Sequence, residues 1–158
     1  MKSTSKIGIV GLLTAGMLAA AVILAGCQSD APKISIEGAR AELSPMMVGE
    51  AMVSLTIKNE GGGDALTGVK TDIPGASAVY HVMQGERMAI VDAVKIPAKS
   101  STEFKMGGSH IMIEGMPKTV KEGSQFNVTL VFQKSGEKQV PLTLQGPPSM
   151  PMGHEHHM

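Results

Sequence analysis

Beyond residue 27 the chain alternates apolar and polar residues with a period of two, and no stretch repeats near the helical period of about 3.6. Val53, Leu55 and Ile57 alternate with Ser54, Thr56 and Lys58; Phe126, Val128, Leu130 and Phe132 alternate with Asn127, Thr129 and Val131; Val140, Leu142 and Leu144 repeat the pattern. Alternation of this kind places every second side chain on one face of an extended strand, so each run reads as a half-buried strand. The runs are separated by Asn59-Glu60-Gly61-Gly62-Gly63-Asp64, Ile73-Pro74-Gly75, Ile96-Pro97-Ala98, Gly107-Gly108 and Glu122-Gly123, all turn or breaker sequences. Short strands with a turn every 8 to 12 residues or so predict an all-β, antiparallel sandwich or barrel.

The N-terminus predicts where that sandwich resides. Lys2 and Lys6 precede an apolar stretch from Ile7 to Leu24, which ends in Leu24-Ala25-Gly26-Cys27. A basic start, an apolar middle and small residues before a cut describe a secretory signal peptide. Leu-Ala-Gly-Cys resembles the bacterial lipobox, which implies cleavage before Cys27, lipidation of Cys27, and an extracytoplasmic protein anchored to a bacterial membrane on the periplasmic side or cell surface. An uncleaved transmembrane helix is the competing reading, since about 18 apolar residues can just span a bilayer; Gly8, Gly11 and Gly16 weigh against it. Cys27 is the only cysteine, so neither reading leaves a thiolate for metal or disulfide chemistry. The expected organisation is a signal peptide at 1–26, a tether at 27–32, a β-sandwich domain at 33–146, and an unstructured tail at 147–158.

Several function classes drop out on composition. Loss of Lys2 and Lys6 leaves 12 basic and 14 acidic residues, a formal net charge of −2, which gives no electrostatic grip on nucleic acid. The chain has one tyrosine, Tyr80, three phenylalanines and no tryptophan, so platforms for stacking bases or sugars are missing. No Gly-x-Ser-x-Gly elbow, phosphate-binding loop or nucleophile with an adjacent base occurs, and Glu114 reads as a solvated strand residue; an enzyme is not expected.

Against that poverty stand thirteen methionines, and five histidines that fall in only two places. The first place holds Tyr80-His81-Val82-Met83, Met88 and Ser109-His110-Ile111-Met112; the second is the tail Met150-Pro151-Met152-Gly153-His154-Glu155-His156-His157-Met158. Thioethers beside imidazoles, with no thiolate, are the donors suited to Cu(I). Strand geometry adds that His81 and Met83 share a face and that His110 and Met112 share a face. Two His-x-Met pairs on neighbouring strands could surround one ion, with Met88 closing the set across the short Gln84-Gly85-Glu86-Arg87 connection. The expected ligands are therefore His81, Met83, Met88, His110 and Met112. The tail residues Met150, Met152, His154, His156, His157 and Met158 form an expected second tier, whose flexible imidazoles suit Cu(II). A strand methionine is ordinarily core filler, and this is the reading for Met46, Met47, Met52, Met106 and Met116.

Ala76 to Phe132 resembles the PCu(A)C family of periplasmic copper chaperones. The family motif runs from a histidine to a methionine and then to His-x-Met; the 21 residues between Met88 and His110 and the closing His110-Ile111-Met112 match it. Met88-Ala89-Ile90-Val91-Asp92, Ile96-Pro97-Ala98, Gly107-Gly108 and the stretch from Gly123 to Phe132 agree as well. One departure is the six residues between His81 and Met88, about four fewer than the family's usual interval; an even deletion keeps the strand face. It leaves Met83 and Met88 as alternatives for the hairpin thioether. The resemblance implies an all-β, antiparallel Greek-key β-sandwich of cupredoxin-like form, Cu(I) held by His81, Met88, His110 and Met112, and transfer of copper by ligand exchange. The implied recipients are the CuA site of cytochrome c oxidase, on its copper subunit, or another copper chaperone. A copper-sequestering lipoprotein without a delivery partner would carry the same ligands. An electron-transfer cupredoxin is excluded by the absence of a ligating cysteine.

Overall fold

A computed structural model describes residues 30–148. The predicted signal peptide, the predicted lipidation site Cys27 and the expected metal-binding residues from Met150 to Met158 lie outside the described residues, within which no helix occurs. Ten strands are formed: β1 (Ile34–Leu43), β2 (Ala51–Asn59), β3 (Asp64–Thr71), β4 (Ser77–Gln84), β5 (Arg87–Ile90), β6 (Val94–Ile96), β7 (Ser100–Phe104), β8 (His110–Glu114), β9 (Gln125–Phe132) and β10 (Gly136–Gln145).

The runs with the clearest alternation become the centre of the sandwich. On β2, Ala51, Val53, Leu55 and Ile57 are buried while Met52, Ser54, Thr56 and Lys58 are not; Phe126, Val128, Leu130 and Phe132 on β9 and Val140, Leu142 and Leu144 on β10 are also buried. Each large apolar side chain placed there contributes about 1.5–3 kcal/mol. Hydrogen bonding runs in the order β5-β4-β8-β2-β1-β10-β9-β3-β6, with β7 also pairing to β2. The sheet curls so that β5, β4, β8, β2 and β1 form one layer and β10, β9, β3 and β6 the other.

The two layers meet where β1 runs parallel to β10, pairing Ala41 with Leu144 and Glu42 with Gln145. That pairing departs from the all-antiparallel expectation, and the cause is topological: β1 and β10 come from opposite ends of the chain, and no hairpin dictates their relative direction. The bend that brings β1 across is a bulge, in which Gly38 and Ala39 stand opposite Leu55 alone, between the Glu37–Thr56 and Arg40–Ser54 pairs. Gly38 has φ 61°, which L side chains rarely adopt, and bulges sharpen strand twist.

Two buried polar side chains fasten the pole of the sandwich where β2 gives way to β3. Asn59, 1% exposed, accepts the Lys33 and Gly61 N–H groups on Oδ1 at 3.1 and 3.0 Å and donates through Nδ2 to the Gly62 and Pro97 carbonyls at 2.8 and 2.9 Å. This draws the start of β1, the glycine turn and the β6–β7 turn to one point. A Cβ on Gly61 or Gly62 would lie 2.0 Å from the Ala31 oxygen or 1.8 Å from the Asp30 oxygen, so only glycine permits this approach.

Asp64 accepts from the Ala65, Lys134 and Ser135 N–H groups and from the Ser135 hydroxyl. Burial pushes its carboxyl up, but those four donors outweigh burial and hold it below the usual carboxylate range; Asn127 does the same to Asp72. A folded-state pKa lowered from 3.8 stabilises the fold above that value, and the stability is lost as pH falls through the folded pKa. Urea unfolding is therefore expected to show stability flat from pH 7 to about 5 and falling below about pH 4. Asp64→Asn should flatten that acid limb, and an unchanged limb would contradict the assignment.

Candidate metal centre

Register brings the two His-x-Met pairs together. β4 and β8 pair antiparallel with His81 opposite His110, and β4 and β5 pair with Met83 opposite Met88. Residues opposite one another share a face, as do residues two apart. His81, Met83, Met88, His110 and Met112 therefore all stand on one face of the three-stranded β5-β4-β8 unit. Tyr80, Ile111 and Ile113 point the other way into the core. Met112 is only 6% exposed yet stands apart from the main core cluster, as an outer-face position requires.

The turn between β4 and β5 makes this register possible. Gln84 pairs with Arg87, leaving Gly85-Glu86 as a two-residue loop, with Gly85 at φ 65° in the first central position. A type II′ hairpin demands glycine there. The shortened interval between His81 and Met88 is thus a tight hairpin that keeps both thioethers on the imidazole face. Met83 and Met88 face each other across it, so both lie on that face and neither is excluded by geometry.

The two imidazoles sit edge to face, with centroids 5.3 Å apart and planes at 77°. Nδ1 of His110 lies 2.9 Å from the Gly108 carbonyl oxygen. A carbonyl only accepts, so Nδ1 donates a proton to it, and in the neutral form of the ring this leaves Nε2 as the nitrogen with the lone pair. The Gly107-Gly108 turn, with Gly107 at φ 75°, aims that carbonyl. Ser109 then accepts the Met83 N–H at 3.1 Å, tying the hairpin to the start of β8. On the core side, the Tyr80 hydroxyl donates to the Asp92 carbonyl at 2.5 Å and fastens the segment after β5; burial, then the Asp92 carboxylate, push its pKa up.

Burial is graded across the set. His110 and Met112 are 7% and 6% exposed, His81 is half-buried, and Met83 and Met88 are 36% and 44% exposed. Ile90, opposite His81, is 71% exposed and extends an apolar rim. Among the described residues no group of three or more His, Cys, Asp or Glu side chains gathers to hold a metal. The donors on this face are neutral nitrogen and sulfur, which suit a soft monovalent ion and offer little to hard, oxygen-seeking cations.

Among the methionines read as core filler, Met116 is buried in the core, whereas Met46, Met47 and Met106 are exposed. They occupy turns, where no second layer covers them. Met52 stands directly opposite Met112 on β2, which places it on the donor face too. The sequence signal for it was the polar phase of β2, shared with Ser54, Thr56 and Lys58.

The sandwich has the fold of a PCuAC domain. It is similar to the copper-bound PCuAC domain from PmoF2, with 28% identity over 73% of this chain and 94% of that one, at a TM-score of 0.61. The apo PCuAC domain from PmoF1 is similar at 27% identity over 75% of this chain and 98% of that one, with a TM-score of 0.63. Cu(I)-DR1885 from Deinococcus radiodurans, at 24% identity over 77% of this chain and 83% of that one, shares the fold at a TM-score of 0.59. The chain belongs to the LpqE-like lipoprotein family, whose model matches residues 34–144. No curated protein sequence matches it.

Proposed function

We propose that the protein is an extracytoplasmic copper carrier, lipid-anchored through Cys27, which binds Cu(I) on the outer face of β5-β4-β8 and passes it on by ligand exchange. The observation that carries this reading is the gathering of two imidazoles with the thioethers of Met83, Met88 and Met112 on one face, without a charged ligand among them. His110 and Met112 form the buried floor, His81 stands beside them, and Met83 or Met88 supplies the exposed thioether. The neighbours titled as copper-bound and Cu(I)-bound domains support the choice of metal.

A carrier must release its ion, and the graded burial suits that task. An incoming protein ligand can displace the exposed thioethers first while the buried pair still holds the ion. The recipient we favour is the CuA site on the copper subunit of cytochrome c oxidase, or another copper chaperone that serves it. The exposed apolar rim at Ile90, Met83 and Met88 is suited to such a contact. The tail residues Met150, Met152, His154, His156, His157 and Met158 would gather copper, including Cu(II), outside the folded site.

The decisive test is a Cu(I) competition titration on residues 28–158 beside a chain ending at Gly146. Stoichiometric tight binding that survives loss of the tail is expected. Binding that vanishes with the tail alone would make the His-x-Met pairs structural. Peroxide provides a second check, because thioethers oxidise to polar sulfoxides. Among the site thioethers Met83 and Met88 should oxidise well before Met112, with Cu(I) affinity falling in step with those two. Unchanged affinity after mass spectrometry shows both fully oxidised would sink the thioether assignment.

A further inference from the structure

At the end of the sandwich away from the Met83–Met88 hairpin, an apolar groove of about 500 Å³ is lined by Leu43, Met47, Val48, Met116, Val120 and Pro147. Its two walls are joined by the Met116 N–H, which donates to the Gly49 carbonyl at 2.9 Å. The loop that forms one wall is held open to solvent: Ser44 Oγ accepts the Met46 and Met47 N–H groups at 3.4 and 3.1 Å, and the Ser44 N–H donates to Glu50 at 3.0 Å. Met46 is 83% exposed and Val48 fully so. A clustered apolar surface on a tied-down loop marks a contact site rather than scattered surface hydrophobicity.

We infer that this groove docks the chain's own segment Met150-Pro151-Met152. The chain itself runs into the groove: β10 ends at Gln145, Pro147 forms part of the wall, and Met150 follows three residues later, within about 10 Å of reach. Apolar side chains at 150 and 152 would stand on one side of an extended segment, with Pro151 limiting the entropy lost on ordering. Charge agrees as well. Lys118 and Lys121 also line the groove, and residues 149–158 contain Glu155 but no lysine or arginine. Because the segment is tethered at the groove, docking is intramolecular and needs only modest intrinsic affinity.

Docking stows Met150 and Met152 in the groove, at the end of the sandwich away from the Met83–Met88 hairpin. A soft metal ion that takes those two thioethers competes with the groove for the same side chains. Metal on the tail and docking therefore oppose each other, by the same factor in both directions. The first claim, docking, stands whether or not the chain carries copper.

The experiment is metal-free NMR of residues 28–158 labelled with 13C-methyl methionine, compared with a chain ending at Pro148, which keeps every strand and the whole groove. Removal of 149–158 is expected to shift the Met47 and Met116 methyl signals and leave those of Met83 and Met88, on the hairpin at the other end, in place. Met150→Ser with Met152→Ser should reproduce that shift, and a synthetic 149–158 peptide at millimolar concentration should reverse it in the truncated chain. Met47 and Met116 signals identical with and without the segment would overturn the inference. So would signals that change with protein concentration in both chains, which would assign the groove to a second copy.

Discussion

Replacing His110 with Ala and Met112 with Leu is expected to lower Cu(I) affinity about a thousandfold, which corresponds to roughly 4 kcal/mol. The size of the effect follows from burial. These two donors are the least exposed of the set, so water and buffer ligands cannot stand in for them once they are gone. Leucine at 112 preserves volume, and such swaps ordinarily change stability by less than about 1.5 kcal/mol; thermal unfolding of the variant separates lost ligation from lost fold. The exposed thioethers should behave differently. Met83 and Met88 are cross-strand partners, so Met83→Leu or Met88→Leu alone should weaken binding less than about tenfold and both together about a hundredfold. A single replacement as damaging as the pair would assign the ligand to one residue, and a folded His110, Met112 variant that still binds tightly would overturn the site.

The largest effect on stability is expected at Asn59, which is not among the candidate ligands. Asn59→Ala would leave the Lys33 and Gly61 N–H groups and the Gly62 and Pro97 carbonyls without their partner at a position 1% exposed. A buried polar group stripped of its hydrogen bond costs about 1–3 kcal/mol, partly recovered if water enters. A net loss of about 4 kcal/mol is expected, a large share of the roughly 5–15 kcal/mol typical of a domain. Asn59→Asp should be no better, because the lost Nδ2 donors face two carbonyls that would then meet a carboxylate. Urea unfolding measures both, and a loss below about 1 kcal/mol for alanine would mean that these contacts are replaceable.

How far the chain could be read in advance depended on what each element leaves in the sequence. Strands β2, β9 and β10 bury one face and expose the other, so their alternation was visible. The outer face of β4 and β8 carries the donors and partly covers them, which blurs the pattern to four successive buried residues from His110 to Ile113. That the two His-x-Met pairs face each other is a matter of register, set by the Gly85-Glu86 turn and by long-range pairing, and period alone could not supply it. Strands β6 and β7 are short and half-exposed; they exist because β3 and β2 offer them partners, so propensity did not announce them. The parallel contact of β1 with β10 has no local signature at all.

The clamp of Gly61 and Gly62 on Asp30 and Ala31 also sets an orientation. Were Cys27 embedded in a bilayer, residues 28–30 would allow only about 10 Å before the chain is gripped, which is little more than the depth of the headgroups. The glycine pole would then rest on the membrane, and the Met83–Met88 hairpin, which points toward the same pole, would hang within reach of proteins embedded in that bilayer. Strand β10, ten residues long, runs the other way and would deliver the C-terminal segment about 30 Å out into the surrounding compartment. Lipid anchor and tail would thus work in separate strata, one facing the source of free ions and the other the machinery that consumes them.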